Sequence, residues 1–228
     1  MSKIITIDLH KVYSETKVPV KALNGISIKI DEAEFTAIVG PSGSGKTTLL
    51  NMLGGLDTPT SGEVHINGTN ITSLPSRKLI DFRLHNIGFV FQSFNLIPVL
   101  TARENVEFIL QLQGAGKNER QQRAIELLEA VGLPDKVDSR PGDLSGGQQQ
   151  RVSVARALAS KPRFILADEP TANLDSKSTA ELLDIMEKMN QQYRTTFIFS
   201  THDSRVMERA RRIITIEDGM VARDEIRN

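Results

Sequence analysis

Residues 40 to 47 read G-P-S-G-S-G-K-T. An apolar run, F-T-A-I-V, precedes them at 35 to 39, and T-L-L-N-M-L follows at 48 to 53. The chain therefore runs strand, glycine turn, helix. In that context the pattern G-x-x-x-x-G-K-[ST] is a phosphate-binding loop. Gly43 and Gly45 permit backbone conformations that a β-carbon obstructs, so that successive N–H groups can converge on an anion. The start of the following helix adds a partial positive charge. Lys46 contributes a full one, and Thr47 a hydroxyl for Mg²⁺. A strand feeding a helix through this turn points to an α/β fold.

The 228 residues, 25% of them charged, suit one large α/β domain or two small lobes with a sizeable core. The formal net charge is zero, so a nucleic-acid partner has no electrostatic support. Cysteine is absent, which excludes disulfides and thiolate metal sites. The N-terminal stretch M-S-K-I-I-T-I-D lacks the apolar core of a signal peptide. No run of apolar residues is long enough to span a bilayer, so a membrane role is expected to come through a partner and not by direct insertion.

Residues 3 to 9 and 26 to 30 alternate apolar with polar and are expected as half-buried strands. Tyr13 lies between them in K-V-Y-S-E-T-K, where it suits either a surface tyrosine or a ring that stacks on a base. Beyond a turn-rich stretch at 54 to 62, E-V-H-I-N-G-T-N-I predicts a strand, a turn at Asn67 and Gly68, and a short second strand. These pieces predict an antiparallel β layer beside the loop-bearing sheet. Residues 76 to 84 read as a charged helix and 87 to 91 as a strand. Gln92 follows at once, at the strand edge that faces the ligand crevice in open α/β sheets. Its amide suits a metal or a water there, and equally an ordinary strand end. Phe94, Leu96, Ile97, Val99 and Leu100 then crowd around Pro98, in a loop that packs inward or docks something. Thr101 with Glu104 forms the capping box of a helix expected over 102 to 113, followed by one over 119 to 131.

Residues 93 to 160 are thus expected as a helical insertion, with 1–92 and 161–228 forming the core and its β layer in a single domain. Near the end of the insertion comes L-S-G-G-Q at 144 to 148. Ser145 is a good N-cap, and a Ser-Gly-Gly turn entering a helix is either a second anion site or an ordinary capped helix. Two such sites with one lysine either meet within one chain or complete each other between two chains. F-I-L-A-D-E at 164 to 169 is an apolar strand ending in two carboxylates, whose alternation sends Asp168 and Glu169 to opposite sides. One can then face Mg²⁺ and the other can orient or deprotonate a water. Asn173-Leu174-Asp175 turns into a helix over 176 to 192, and a buried strand over 196 to 200 runs into Thr201-His202-Asp203. Strands over 212 to 216 and 219 to 223 form a closing hairpin around Glu217-Asp218-Gly219, and the polar tail R-D-E-I-R-N is expected to fray.

Taken together these pieces resemble the nucleotide-binding subunit of ATP-binding cassette (ABC) transporters over nearly the whole chain. The resemblance implies a P-loop NTPase with a RecA-like core sheet, an antiparallel β subdomain and an inserted α-helical signature subdomain. It implies an ATPase that uses ATP and Mg²⁺. Gly40, Pro41, Ser42, Gly43, Ser44, Gly45, Lys46, Thr47 and Thr48 would hold the phosphates, and Tyr13 would stack on adenine. Gln92 is then the Q-loop glutamine, and Asp168 and Glu169 end the Walker B strand. Asp175 belongs to the D-loop and would signal across the interface, and His202 is the switch histidine. Ser145, Gly146, Gly147 and Gln148 are the signature, acting in trans on the ATP of a second copy in a head-to-tail homodimer. Thr47 and Gln92 would ligate Mg²⁺, with Asp168 acting through water. Glu169, His202 and Gln92 would be the catalytic group.

The stretches around Gln92, the signature and Walker B look like the macrolide-exporter and lipoprotein-release branch. That implies a separate integral membrane permease with few spans and a large extracytoplasmic domain, driven as a lever. The ATPase would sit in the cytoplasm, peripheral on the inner face of the cytoplasmic membrane. Because the chain ends at Asn228, it is expected to be nearer the stand-alone lipoprotein-release ATPase than the exporter with a fused permease. The alternative is a signalling ATPase that controls extracytoplasmic enzymes without transport. Cassette ATPases of translation or DNA repair carry paired cassettes, long inserts or zinc modules that this sequence lacks, and a plain nucleotide kinase lacks L-S-G-G-Q.

Overall fold

The computed structural model describes residues 4–14 and 19–227. Lys3 of the first expected strand, residues 15–17 of the polar stretch after Tyr13, and Asn228 of the tail lie outside the described residues. The chain divides into two compact units, Met1–Arg83 with Thr196–Asn228, and Leu84–Thr195.

The first unit opens with β1 (Ile4–Tyr13), β2 (Val20–Ile26), β3 (Lys29–Ile30) and β4 (Phe35–Val39). The phosphate loop leads into α1 (Lys46–Leu53), followed by β5 (Ser61–Ile66) and β6 (Thr69–Asn70). The boundary between units falls within α2 (Ser76–Asn86). An antiparallel sheet forms in the order β2-β1-β5-β6, with β3 also on β1. The single strand expected over 26 to 30 is instead split. Thr6 Oγ1 donates to Ile26 O and accepts from Ile28 N, both at 2.9 Å, so a side chain takes up the backbone bonds where the strand breaks. The Asn67-Gly68 turn has positive φ at both residues, 52° and 80°, the geometry of a two-residue hairpin.

In the second unit β7 (Ile87–Val90) precedes α3 (Ala102–Leu112), α4 (Lys117–Ala130), α5 (Gly146–Ala159), β8 (Phe164–Asp168) and α6 (Ser176–Tyr193). The chain then returns to the first unit with β9 (Thr196–Ser200), α7 (Ser204–Arg209), β10 (Arg212–Glu217) and β11 (Met220–Ile226).

There β10, β4 and β9 pair in parallel, and β11 closes antiparallel on β10. All five residues of β4 are buried, as a strand flanked on both sides and covered on both faces requires. Phe35 packs on Phe199 with ring centroids 4.6 Å apart, and Leu49, Met52 and Leu53 of α1 are fully buried. The tail expected to fray is paired through to Ile226, which lies opposite Arg212. Arg212 meets Asp224 through Nε (2.7 Å) and Nη2 (2.8 Å), and Glu34 through Nη1 (3.0 Å). These carboxylates, Asp224 foremost, push its pKa above the ordinary arginine value against the opposing effect of burial. A polar composition suggested fraying, but paired charges hold the strand. Helix α7, capped by Asp203, was not anticipated.

In the second unit β7 and β8 pair in parallel. Helix α5 lies so close to β7 that a β-carbon on Gly88 would stand 2.5 Å from Ala157 O. The Thr101–Glu104 capping box forms as expected. Glu107, 6% exposed, accepts from Arg103 at 2.7 Å and Arg120 at 3.2 Å and so ties α3 to α4. Gly88→Val should separate α5 from β7 and lower stability by about 1–3 kcal/mol, the usual cost of overpacking. A fall in the urea midpoint checks this.

Candidate functional site

The phosphate loop is shaped from behind. Gly40 has φ 152°, and a β-carbon there would lie 2.1 Å from Ile216 O. Gly45, at φ 104°, would place one 2.3 Å from Ala22 O. Gly219, in the turn between β10 and β11, donates its N–H to Ser44 O at 3.1 Å. Lys46 is buried, and its Nζ donates to Gly40 O and Pro41 O, each at 2.9 Å. The loop's own carbonyls thus use two of the three ammonium donors. Ser44 Oγ is buried without a protein partner, a polar orphan inside the loop. Thr47 and Thr48 lie in the first turn of α1, where no acidic residue occupies the positive end of the helix.

Tyr13 lines the same cleft, of about 250 Å³, with Val20, Ala22 and the loop. Its hydroxyl donates to Asp57 Oδ2 at 2.9 Å, while Lys11 Nζ donates to Asp57 Oδ1 at 2.8 Å and stands 4.8 Å from the Tyr13 ring centroid. Burial, then the neighbouring Asp57, raises the Tyr13 pKa. Burial would raise that of Asp57, but the hydrogen bonds from Lys11 and Tyr13 hold it below the usual value. Sequence reading missed Lys11 and Asp57, since nothing local joins residues 46 positions apart. His202 is exposed and leaves the C-terminal end of β9, where Thr201 N donates to Ile38 O at 3.1 Å on β4. Tyr13, the loop and His202 therefore gather around one sheet edge of the first unit.

The second unit gathers the other residues. Ser145 caps α5: its Oγ accepts from Gln148 N at 3.3 Å, and Gln148 Oε1 accepts from Ser145 N at 2.9 Å. This box has the same S/T-x-x-E/Q signal as Thr101–Glu104 and was readable in the sequence. A β-carbon on Gly147 would stand 2.9 Å from Ser178 Cβ, so glycine lets α5 approach α6. Ser178 in turn donates its N–H (2.9 Å) and hydroxyl (2.8 Å) to Asp175, the N-cap of α6. Those bonds, the backbone one foremost, keep the Asp175 carboxyl below its ordinary pKa. Gln92 is exposed, and its carbonyl accepts from Asn173 Nδ2 at 3.0 Å.

Asp168 ends β8, but Glu169 lies beyond the strand with φ 45°. Glu169 therefore does not continue the strand alternation expected to separate the two carboxylates; it stands in a left-handed backbone turn. Such a conformation costs a non-glycine residue roughly 1–3 kcal/mol and clusters at functional sites.

The family model for ABC transporters matches residues 23–172. The chain is 48% identical over 97% of its length to an uncharacterized ABC transporter ATP-binding protein of Thermotoga maritima, of which it covers 94%. It is also 48% identical over 95% of its length to the macrolide export ATP-binding/permease protein MacB of Brucella melitensis, but covers only 33% of that protein. Among solved structures it superposes on the ATP-binding cassette MJ0796, described as a dimer in a post-hydrolysis state bound to ADP and Pi. That match has a TM-score of 0.91 and 43% identity and covers 99% of each chain.

The chain belongs to the ABC transporter family.

It is thus an ABC ATPase cassette with the P-loop NTPase fold, and it uses ATP and Mg²⁺. The donor set fits these ligands. Ser44 and Lys46 offer donors inside a loop made of close-packed glycines. Among the described residues no cluster of three His, Cys, Asp or Glu side chains forms a metal cage.

Two glycines of the cassette should respond differently to alanine. Gly40→Ala forces backbone apart and should lower stability as well as ATP binding. Gly43 has open space around its β-carbon position, so Gly43→Ala should cost only the left-handed strain, about 1–2 kcal/mol. The new methyl would nonetheless face the cleft and weaken ATP binding. Thermal melts with and without ATP separate the two cases.

Asp57 should contribute stability that is present above the ordinary carboxylate pKa and lost as pH falls through its depressed value, below about pH 4. Asp57→Asn should remove that part of the acid-induced fall in the urea midpoint.

Proposed function

We propose that this cassette powers a separate membrane permease, for efflux or lipoprotein release by mechanotransmission, as a head-to-tail homodimer. The observation that carries this is the likeness to a dimeric cassette bound to ADP and Pi over 99% of both chains. Relatives named for macrolide export support the efflux side of the reading. No helix among the described residues is long and apolar enough to cross a membrane. A peripheral position on the inner face of the cytoplasmic membrane, held there by the permease, accords with that. The division into a core with its β subdomain, 1–92 and 161–228, and a helical subdomain, 93–160, is part of this reading.

In the proposed mechanism Lys46 and the backbone N–H groups of residues 42–48 bind the phosphates of one ATP with Gly40 and Pro41 shaping the turn, and Tyr13 stacks on its adenine. Residues 145–148 of the second copy close over the same nucleotide, so the two anion sites meet in trans. Mg²⁺ when bound neutralises charge on the β- and γ-phosphate oxygens. Thr47 and Gln92 would hold it, with Asp168 acting through water. Glu169 orients or deprotonates the attacking water. His202 holds the γ-phosphate, and Asp175 carries the state of one site to the other across the interface.

The permease docks on the second unit, in an apolar groove of about 330 Å³ lined by residues including Phe89, Phe91, Ile97, Phe108 and Arg156. Beside it runs the apolar loop 94–100, with Val99 73% exposed. Two side chains keep this loop in shape. Asn105 accepts from Ile97 N at 2.8 Å and donates to three carbonyls, and Arg156 donates to Phe94 O at 2.9 Å and to Asn95 O. A rigid loop beside a groove is suited to transmit closure of the dimer to a partner.

Glu169→Gln should lower hydrolysis about 10²- to 10⁴-fold, the scale of a lost general base, while ATP binding persists. Purified with ATP, it should elute as a dimer and retain its permease from solubilised membranes. Wild-type turnover would sink the assignment of Glu169. A co-purifying partner without a large extracytoplasmic domain would sink the mechanotransmission branch.

A further inference from the structure

One buried side chain in the second unit has no part in the mechanism above. Gln150, 0% exposed, sits within the first turns of α5, beyond the capped residues 145–148. Its Nε2 donates to Pro170 O at 2.8 Å and to Phe91 O at 3.3 Å. Pro170 is the residue after Glu169, and Phe91 the residue before Gln92. A single amide thus bridges the segments that carry the two groups, which are otherwise far apart in sequence. Its Oε1 is buried and accepts no hydrogen bond from the protein. The unmet acceptor carries a desolvation cost, which the two bonds donated by the same amide offset.

We propose that Gln150 is a positioning residue, setting the distance between Gln92 and Glu169. This rests on the roles given to those two residues above. Both segments leave the ends of strands, β7 and β8, where ladder hydrogen bonds no longer hold them. Glu169 has a strained backbone that persists only where its surroundings impose it. The Gln150 amide imposes it from a helix, which is stiffer than either loop. Because residues 145–148 begin that same helix, the start of α5, the Gln92 segment and the Glu169 segment are tied to one rigid body.

The test is steady-state ATP hydrolysis by the full chain carrying Gln150→Met, with urea unfolding alongside. Methionine keeps the shape of the side chain and removes both donated bonds. The expected result is kcat lowered about 10- to 100-fold, as for a displaced reacting group. The KM for ATP should stay within about twofold of wild type, since binding at the phosphate loop is untouched, while the urea midpoint falls modestly because two carbonyls lose their donor. A wild-type kcat overturns the inference, and so does a joint fall of kcat, ATP affinity and urea midpoint, which is the signature of a loosened core.

Gln150→Glu gives an independent readout if the methionine variant does not fold. A buried carboxyl facing two carbonyls donates only when protonated, so its kcat should rise relative to wild type as pH falls from about 8 to 6. Parallel pH profiles overturn the inference. If Glu169→Gln hydrolyses ATP at the wild-type rate, the assignment of the site fails and this role with it. If Glu169→Gln stops hydrolysis while Gln150→Met leaves kcat unchanged, only the positioning role fails.

Discussion

The phosphate loop depends on how closely its backbone approaches two carbonyl groups. Gly40 lies against Ile216 O and Gly45 against Ala22 O at distances no β-carbon permits. Ile216 belongs to the parallel sheet and Ala22 to the antiparallel one, so both sheets of the first unit press on the loop from behind. The Gly219 N–H donates to Ser44 O and closes the contact. The loop's backbone is therefore fixed by contacts within the protein itself. Preorganised dipoles of this kind stabilise phosphoryl charge without reorganising at the moment of reaction.

In the second unit the loops are held by side-chain amides and a guanidinium. Asn105 bonds three backbone groups of the apolar loop and Thr101 O, Arg156 bonds two carbonyls of the loop, and Gln150 bonds Phe91 O and Pro170 O. Irregular backbone cannot satisfy its polar groups through ladders, and where it is buried each group needs a partner. Helices α3 and α5 supply those partners from fixed positions. The loops around Gln92 and Glu169 thereby acquire the rigidity of the helices, which is what a catalytic arrangement requires. The left-handed backbone at Phe94 and Asn95 has both its carbonyls bonded by Arg156.

Function follows from this division of labour. The first unit carries the glycine loop, a buried lysine and a fixed tyrosine. The second carries the carboxylates, the glutamine and a second capped helix start, together with an apolar groove suited to a membrane partner. The chemistry is one of positioning and electrostatics, so small displacements of either set matter more than the identity of any exposed side chain.

Local patterns in the chain were enough to identify the phosphate loop, the strand before it, the capped helices at Thr101 and Ser145, and the carboxylate-bearing strand. Each of these is written in neighbouring residues: glycines at fixed offsets, an oxygen three residues ahead of an acid or amide, an apolar run. The order of those motifs also determined the family. Tertiary structure decided what depends on partners distant in the chain. Tyr13 is fixed by Asp57 and Lys11, and Thr6 splits a strand by bonding Ile26 and Ile28. Arg212 holds a polar tail that composition alone suggested would fray. Glu169 takes up left-handed backbone just past its strand, where an alternating pattern would have continued. None of these contacts has a sequence signature, because a hydrogen bond or ion pair between residues tens of positions apart exists only once the sheets bring them together.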